Sequence, residues 1–199
     1  RIFSYAGLRL TSLDTESFAL IRALLGRDKT PAFIVDMGYE RTNLFVVDNG
    51  VPVVHRSIHL GGRNFNAILM KALGFQDESL VEQAKRDLSA SQQGGGMPDI
   101  FVKALDPLVQ EIKYNLDLFK KESNNGGVVP ERIVLSGGSA FLPGFTRFLE
   151  NQFNITAYIA DPWARVIYPQ AMKPVLDSIG PRFAVAVGLA IMKVYEDMV

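Results

Sequence analysis

The sequence has no cysteine, which excludes disulfides and thiolate-held metals and suits a reducing compartment. It has no surplus of charge either. Lys plus Arg and Asp plus Glu stand at 21 each, so no global field favours nucleic acid or anionic lipid. Long apolar runs are missing too. The longest uncharged one, Phe183 to Met192, has ten residues; it is too short to span a bilayer and reads as a buried helix. No secretory leader is visible. There are only two histidines, His55 and His59. They share one strand face, with no cysteine or carboxylate at ligand spacing, which argues against a metal between them. No internal repeat is evident. The chain opens on Arg1 within a strand-like pattern, and it reads as a piece of a longer protein.

What is present is enough for a sizeable core: 199 residues, 48% of them hydrophobic, in one domain or two small ones. The organising stretch runs from Pro31 to Gly62. The apolar run Ala32-Phe33-Ile34-Val35 delivers Asp36 to the glycine turn Met37-Gly38-Tyr39-Glu40-Arg41-Thr42. Leu44-Phe45-Val46-Val47 follows, then the hairpin signal Asp48-Asn49-Gly50, then Val51-Pro52-Val53-Val54. A fourth alternation, Ser57 to Leu60, ends in Gly61-Gly62. Four antiparallel strands are expected here.

Upstream, residues 1–30 predict a strand around Ile2 to Leu13 and then a helix carrying Phe18, Leu20, Ile21, Leu24 and Leu25, stopped by Gly26. The polar break Lys29-Thr30-Pro31 is the best candidate for a domain boundary. Downstream, helices are expected from Asn64 to Gly74, over 78–90, and from Asp99 to Lys121. Pro107 should kink or restart the last of these, with Asp106 as its cap. Two glycine-rich loops, Ser91 to Gly96 and Ser123 to Gly127, separate these elements from their neighbours. Ile133-Val134-Leu135 is a short buried strand entering Ser136-Gly137-Gly138-Ser139-Ala140. A helix opens at Pro143-Gly144, Thr156 to Ile159 is a last strand, and a poorly patterned segment leads from Asp161-Pro162-Trp163 to a terminal helix beginning at Phe183. Trp163 reads equally as a rim anchor or a packed loop residue.

Three places bear on phosphate chemistry, and each has a plainer reading. A carboxylate beside glycine at a strand end is often only an Asx turn. Yet backbone N–H groups around Gly38 can cradle a phosphate, Thr42 can donate a further hydrogen bond, and Asp36 can hold a hydrated Mg²⁺. The glycines at 137 and 138 either let a ligand approach the backbone or serve a strand-to-helix turn. Glu82 and Lys85 share a helix face, where an intrahelical ion pair worth about a few tenths of a kcal/mol explains them better than a ligand does.

Their order is more specific than any one of them. A strand-borne Asp-x-Gly with a following Thr, then Gly61-Gly62 before a helix, Glu82-x-x-Lys85, Ser136-Gly137-Gly138 and a terminal Gly188-Leu189-Ala190 helix together resemble the actin-like ATPases. Within them, Ala6-Gly7-Leu8 to Leu24, Pro130 to Gly144, and Asp161-Pro162-Trp163 leading to Phe183–Ala190 look like the C-terminal part of the type IV pilus assembly protein PilM family. The resemblance implies an α/β fold of the actin-like (ribonuclease H-like) kind, a mixed sheet with an antiparallel meander flanked by helices. It implies that residues 1–30 end a preceding actin-like domain and that 31–199 form the second, nucleotide-binding one. It implies ATP and Mg²⁺ as ligands. Asp36, Gly38 and Thr42 would form the second phosphate motif, with Asp36 on the metal; Glu82 and Lys85 would lie at the ribose or base, and Gly137, Gly138 and Ser139 at the adenosine.

The function so implied is a cytoplasmic scaffold, peripheral to the inner membrane, that binds the cytoplasmic tail of a PilN-like protein and other pilus assembly proteins. The first phosphate motif of such ATPases has no counterpart here. Weak binding of ATP and negligible hydrolysis are therefore expected of these 199 residues alone, and no catalytic residue is assigned. The alternatives are an FtsA-like division protein on the same fold and an interaction module that has lost its nucleotide.

Overall fold

A computed structural model of the chain describes residues 1–91, 97–122 and 129–196. The two glycine-rich loops anticipated at 91–96 and 123–127 lie outside the described residues, apart from Ser91. The elements run α1 (Ile2–Tyr5), α2 (Glu16–Leu20) continuing into a π-helical turn (Ile21–Leu25), β1 (Ala32–Met37), β2 (Thr42–Asp48), β3 (Val51–Ile58), α3 (Gly62–Leu73), α4 (Glu78–Ser91) and α5 (Asp99–Val102). A 3-10 turn (Lys103–Leu105) leads to α6 (Asp106–Glu122), followed by β4 (Arg132–Ser136), α7 (Phe145–Phe153), β5 (Thr156–Ile159) and α8 (Lys173–Glu196).

The five strands form one mixed sheet in the order β3-β2-β1-β4-β5. The first three make an antiparallel meander, whereas β4 and β5 add in parallel beside β1. Alternation along β1 sends Phe33, Val35 and Met37 into a core with α3, α5, α6 and α7, where Phe65, Phe101, Ile112 and Phe145 pack. Ala32 and Ile34 face the other way, onto Leu20, Ile21, Leu25 and Ala184. Burial on both faces explains why β1 reads as an unbroken apolar run and not as an alternation. Pro107 falls where expected: the 3-10 turn ends and α6 begins at Asp106.

Three expectations are corrected. Residues 8–13 form no strand, and residues 2–5 are a short helix. All of 1–13 is exposed and pairs with none of the five strands, and a strand needs a neighbour to satisfy its backbone. The meander has three strands, not four, because β3 continues unbroken through Arg56 to Ile58. The terminal helix begins ten residues early, at Lys173, and runs through Gly180-Pro181. The usual clash before proline involves the preceding Cβ, which Gly180 lacks. At 24 residues α8 is long and apolar enough to cross a membrane by length and composition. Here it lies along α2 and β4, with Leu176, Ala184 and Val187 buried.

Candidate functional site

The C-terminal ends of β1 and β4 lie side by side, and three polar residues form a row across them. The register sets Asp36 opposite Asn43 on β2 and Ser136 on β4. All three belong to the sheet face that α2 covers, because they share the parity of Ile34, Phe45 and Val134. Asn43 and Ser136 hydrogen-bond to the Asp36 carboxyl. Burial nevertheless prevails and pushes its pKa up to about 6, helped by the nearby Glu16 carboxylate. Glu16 opens α2 and accepts a hydrogen bond from Asn43 Nδ2 at 3.0 Å. Two carboxylates thus stand at one sheet corner.

Thr42, expected as a phosphate donor, is placed elsewhere. It sits opposite Met37 and faces the other side of the sheet. It is fully buried there, and its hydroxyl donates to the Leu60 carbonyl at 2.6 Å. The Gly38 N–H is also engaged, closing the turn on the Arg41 carbonyl at 3.0 Å. Both groups hold the turn's shape.

Three backbone segments meet at that turn. The Gly62 and Arg63 N–H groups donate to the Gly38 and Tyr39 carbonyls at 3.0 and 2.8 Å. The Ser139 N–H donates to the Met37 carbonyl at 3.1 Å, and its hydroxyl to the Gly38 carbonyl at 3.3 Å. Bare glycine is required for this approach. A Cβ on Gly61 would stand 2.5 Å from the Tyr39 carbonyl oxygen, and one on Gly137, at φ +84°, would overlap the Met37 backbone. The Gly137 N–H and the Ser136 hydroxyl donate to the Pro181 carbonyl at 3.0 and 3.3 Å, tying the loop to α8.

Gly138 crowns this loop, half-buried, and its N–H has no backbone partner among the described residues. The Arg182 side chain lies across it. Glu82 and Lys85, on α4, form the anticipated ion pair at 2.8 Å, and Asn66 Nδ2 donates to the same Glu82 oxygen at 3.2 Å. Burial pushes the Glu82 carboxyl up. The Lys85 ammonium, the Asn66 amide and the charge of Arg182 outweigh this and hold it below the ordinary range.

The structure therefore gathers Asp36, Gly38, Gly137, Gly138 and Ser139 around one edge, with Glu82 within the field of Arg182. It turns Thr42 away. Glu16, Asn43 and Arg182 join the site although no motif nominates them, and Ser136, the first residue of the Ser-Gly-Gly motif, joins it through its side chain. A register count across the four-residue turn would have found Asn43, since Thr42 pairing with Met37 puts Asn43 against Asp36. No local signal marks Glu16 or Arg182, which arrive by tertiary packing. No group of three or more acidic or histidine side chains suited to a metal occurs among the described residues; a cation at this corner would have only Asp36 and Glu16 as protein carboxylates and would take its other ligands from water.

A family model described as type IV pilus assembly protein PilM matches residues 1–194. Among solved structures, a chain of a PilM-PilN type IV pilus biogenesis complex superposes with a TM-score of 0.76 at 26% identity, over 94% of this chain and 54% of that one. The ethanolamine utilization protein EutJ from Carboxydothermus hydrogenoformans matches at a TM-score of 0.61 and 18% identity, over 95% of this chain and 58% of that one. MreB5 of Spiroplasma citri bound to AMPPNP matches at 0.68 and 15%, over 98% and 63%. The last two likenesses establish the actin-like fold. The chain spans about half the length of the chain from the pilus complex.

Proposed function

The chain belongs to the type IV pilus assembly protein PilM family, and from that membership we propose that it is the nucleotide-binding half of an ATP-binding cytoplasmic scaffold of type IV pilus assembly. The scaffold couples its nucleotide state to inner-membrane partners, first a PilN-like protein through its cytoplasmic tail, and is peripheral to that membrane. The likeness to a chain of the PilM-PilN complex supports that partner. On this reading residues 1–30 end a preceding actin-like domain and 31–199 form the second, with α2 leading onto the sheet.

The observation that carries nucleotide binding is the clasp of three glycine-bearing segments, 37–42, 61–63 and 136–139, beside the half-buried carboxyl of Asp36. The residues fit Mg-ATP. Asp36 and Glu16 would hold the hydrated cation, Gly38 and Gly137 would shape the edge that receives phosphate and sugar, bare backbone at Gly138 would admit the ligand, and Glu82 would accept from hydroxyls. Mg²⁺ would supply charge neutralisation on the phosphates. The chain's own residues position the ligand; none is assigned a catalytic step.

Isothermal titration of the full-length protein with Mg-ATP tests the reading, with Asp36→Ala beside the wild type. Saturable binding that Asp36→Ala weakens at least tenfold is the expected result. Unchanged affinity and turnover in Asp36→Ala would favour an interaction module that has dispensed with nucleotide, a reading to which the internally engaged Thr42 hydroxyl and Gly38 N–H lend some weight.

A further inference from the structure

Ser136 is the last residue of β4 and is fully buried. Parallel pairing sets it beside Asp36 on the same face of the sheet, where its hydroxyl hydrogen-bonds to the Asp36 carboxyl. The same hydroxyl reaches the Pro181 carbonyl of α8 at 3.3 Å. A hydroxyl has a single proton to give, so these two acceptors compete for it. They compete unequally. The Pro181 carbonyl is already served by the Gly137 N–H at 3.0 Å. The Asp36 carboxylate carries charge, and a hydrogen bond to an ionised acceptor is roughly twice as strong as one to a neutral carbonyl.

We propose that Ser136 is a positioning residue for the cation, its one hydroxyl proton aiming the Asp36 carboxyl while α8 holds the strand end in place. The inference rests on the reading that Mg-ATP binds at this edge. Ser136 grips the carboxyl from β4 and Asn43 grips it from β2. A carboxyl held on both flanks keeps its orientation, whereas one free to rotate must be stopped when the cation arrives. The two grips differ in what lies behind them. Asn43 also serves Glu16, at 3.0 Å on a side chain, whereas Ser136 sits on a strand end tied to main chain at Pro181. That tie survives loss of the hydroxyl, because the Gly137 N–H maintains it alone. Removing the hydroxyl therefore acts on Asp36 and spares the contact between the loop and α8.

Calorimetric titration of the full-length protein with ATP, with and without Mg²⁺, tests the assignment on wild type, Ser136→Ala, Asp36→Ala and the double variant. Thermal melting is run on each. Ser136→Ala should weaken Mg-ATP about tenfold or more and leave metal-free ATP unchanged. In the Asp36→Ala background the same substitution should change nothing further, because the carboxyl it serves is gone. Ser136→Thr returns the hydroxyl in a residue suited to a strand and should recover most of the loss; should its methyl unfold the buried strand, the alanine cycle decides alone. Equal weakening of ATP with and without Mg²⁺ would overturn the assignment in favour of packing. So would a Ser136→Ala loss that persists in full without Asp36. Wild-type affinity for Mg-ATP in Ser136→Ala overturns the positioning role and leaves nucleotide binding intact; a wild type that binds neither form of ATP overturns the nucleotide reading itself.

Discussion

Asp36 and Asn43 face each other across β1 and β2 on the side covered by α2, and Asn43 passes on to Glu16 at 3.0 Å. Thr42, one residue earlier, belongs to the opposite face and donates to Leu60. The two neighbours should therefore separate function from stability. Asn43→Ala is expected to weaken Mg-ATP binding by unfastening both carboxylates. Thr42→Val should leave that affinity within about twofold while lowering unfolding stability by about 1–2 kcal/mol, because the Leu60 carbonyl loses its buried donor. Calorimetric titration with denaturant unfolding of each variant checks this. Loss of binding in a fully stable Thr42→Val would restore threonine to the site.

The half-buried Asp36 carboxyl sets a pH dependence whose sign follows from its displacement. Its pKa rises from 3.8 to about 6 on folding, so between those values the folded state holds more proton than the unfolded. Stability from this group is full below about pH 4 and falls as pH rises through 6, by about 3 kcal/mol for a shift of this size. Asp36→Asn imitates the protonated form. It should leave stability near pH 4 little changed, and it should raise stability at pH 7.5 relative to wild type in the absence of ligand. Urea unfolding across that range measures the difference. A wild-type-minus-variant curve that is flat with pH would show that the carboxyl is solvated.

Much of this fold is legible in the sequence because β1, β2, β4 and β5 are short apolar runs bounded by turn residues. Asp36, Gly38, Gly137 and Gly138 are legible for the same reason: each ends a strand or follows one. What the sequence conceals is set by register and packing. Thr42 lies near Asp36 along the chain, yet a four-residue turn puts it across from Met37 and on the wrong face. The segment up to Gly180-Pro181 reads as poorly patterned, yet it is helical from Lys173. Gly180, which lacks the Cβ that would clash before proline, also packs against Trp163, where a Cβ would stand 2.9 Å from Nε1, and Trp163 Nε1 itself donates to the Leu176 carbonyl at 2.8 Å. Arg182 reaches the loop only through that helix.

Gly188 marks where α8 meets α2 most closely, since a Cβ there would overlap the Ala19 backbone carbonyl. Arg22 reinforces the crossing by donating from Nε to the Gly188 carbonyl at 3.1 Å while pairing with Asp14. Gly188→Ala should cost about 1–3 kcal/mol, the usual penalty of overpacking, read as a lowered denaturation midpoint. Ala19→Gly should not rescue it, because the obstruction is main chain. Rescue would place the clash on the side chain.

Gly61 and Gly50 offer the sharpest contrast between steric and conformational need. Gly50 has φ +80° with nothing within 4 Å of where a Cβ would stand, so only its backbone conformation resists a side chain. Gly61 has an extended backbone that any residue adopts, at φ −163°, but a methyl there would press on the Tyr39 and Gly38 carbonyl oxygens at 2.5 and 2.8 Å. Gly50→Ala should therefore cost about 1–2 kcal/mol and leave Mg-ATP affinity unchanged, with Gly50→Asn recovering part of that cost because asparagine tolerates the left-handed region. Gly61→Ala should cost about 1–3 kcal/mol and also weaken Mg-ATP, since relief of the clash requires α3 to move off the 37–42 turn and break the Gly62 and Arg63 hydrogen bonds. Unfolding and titration of the three variants decide between the two mechanisms. If Gly61→Ala loses stability but binds Mg-ATP as wild type does, the turn keeps its shape without α3, and the three-segment clasp is not what presents the ligand.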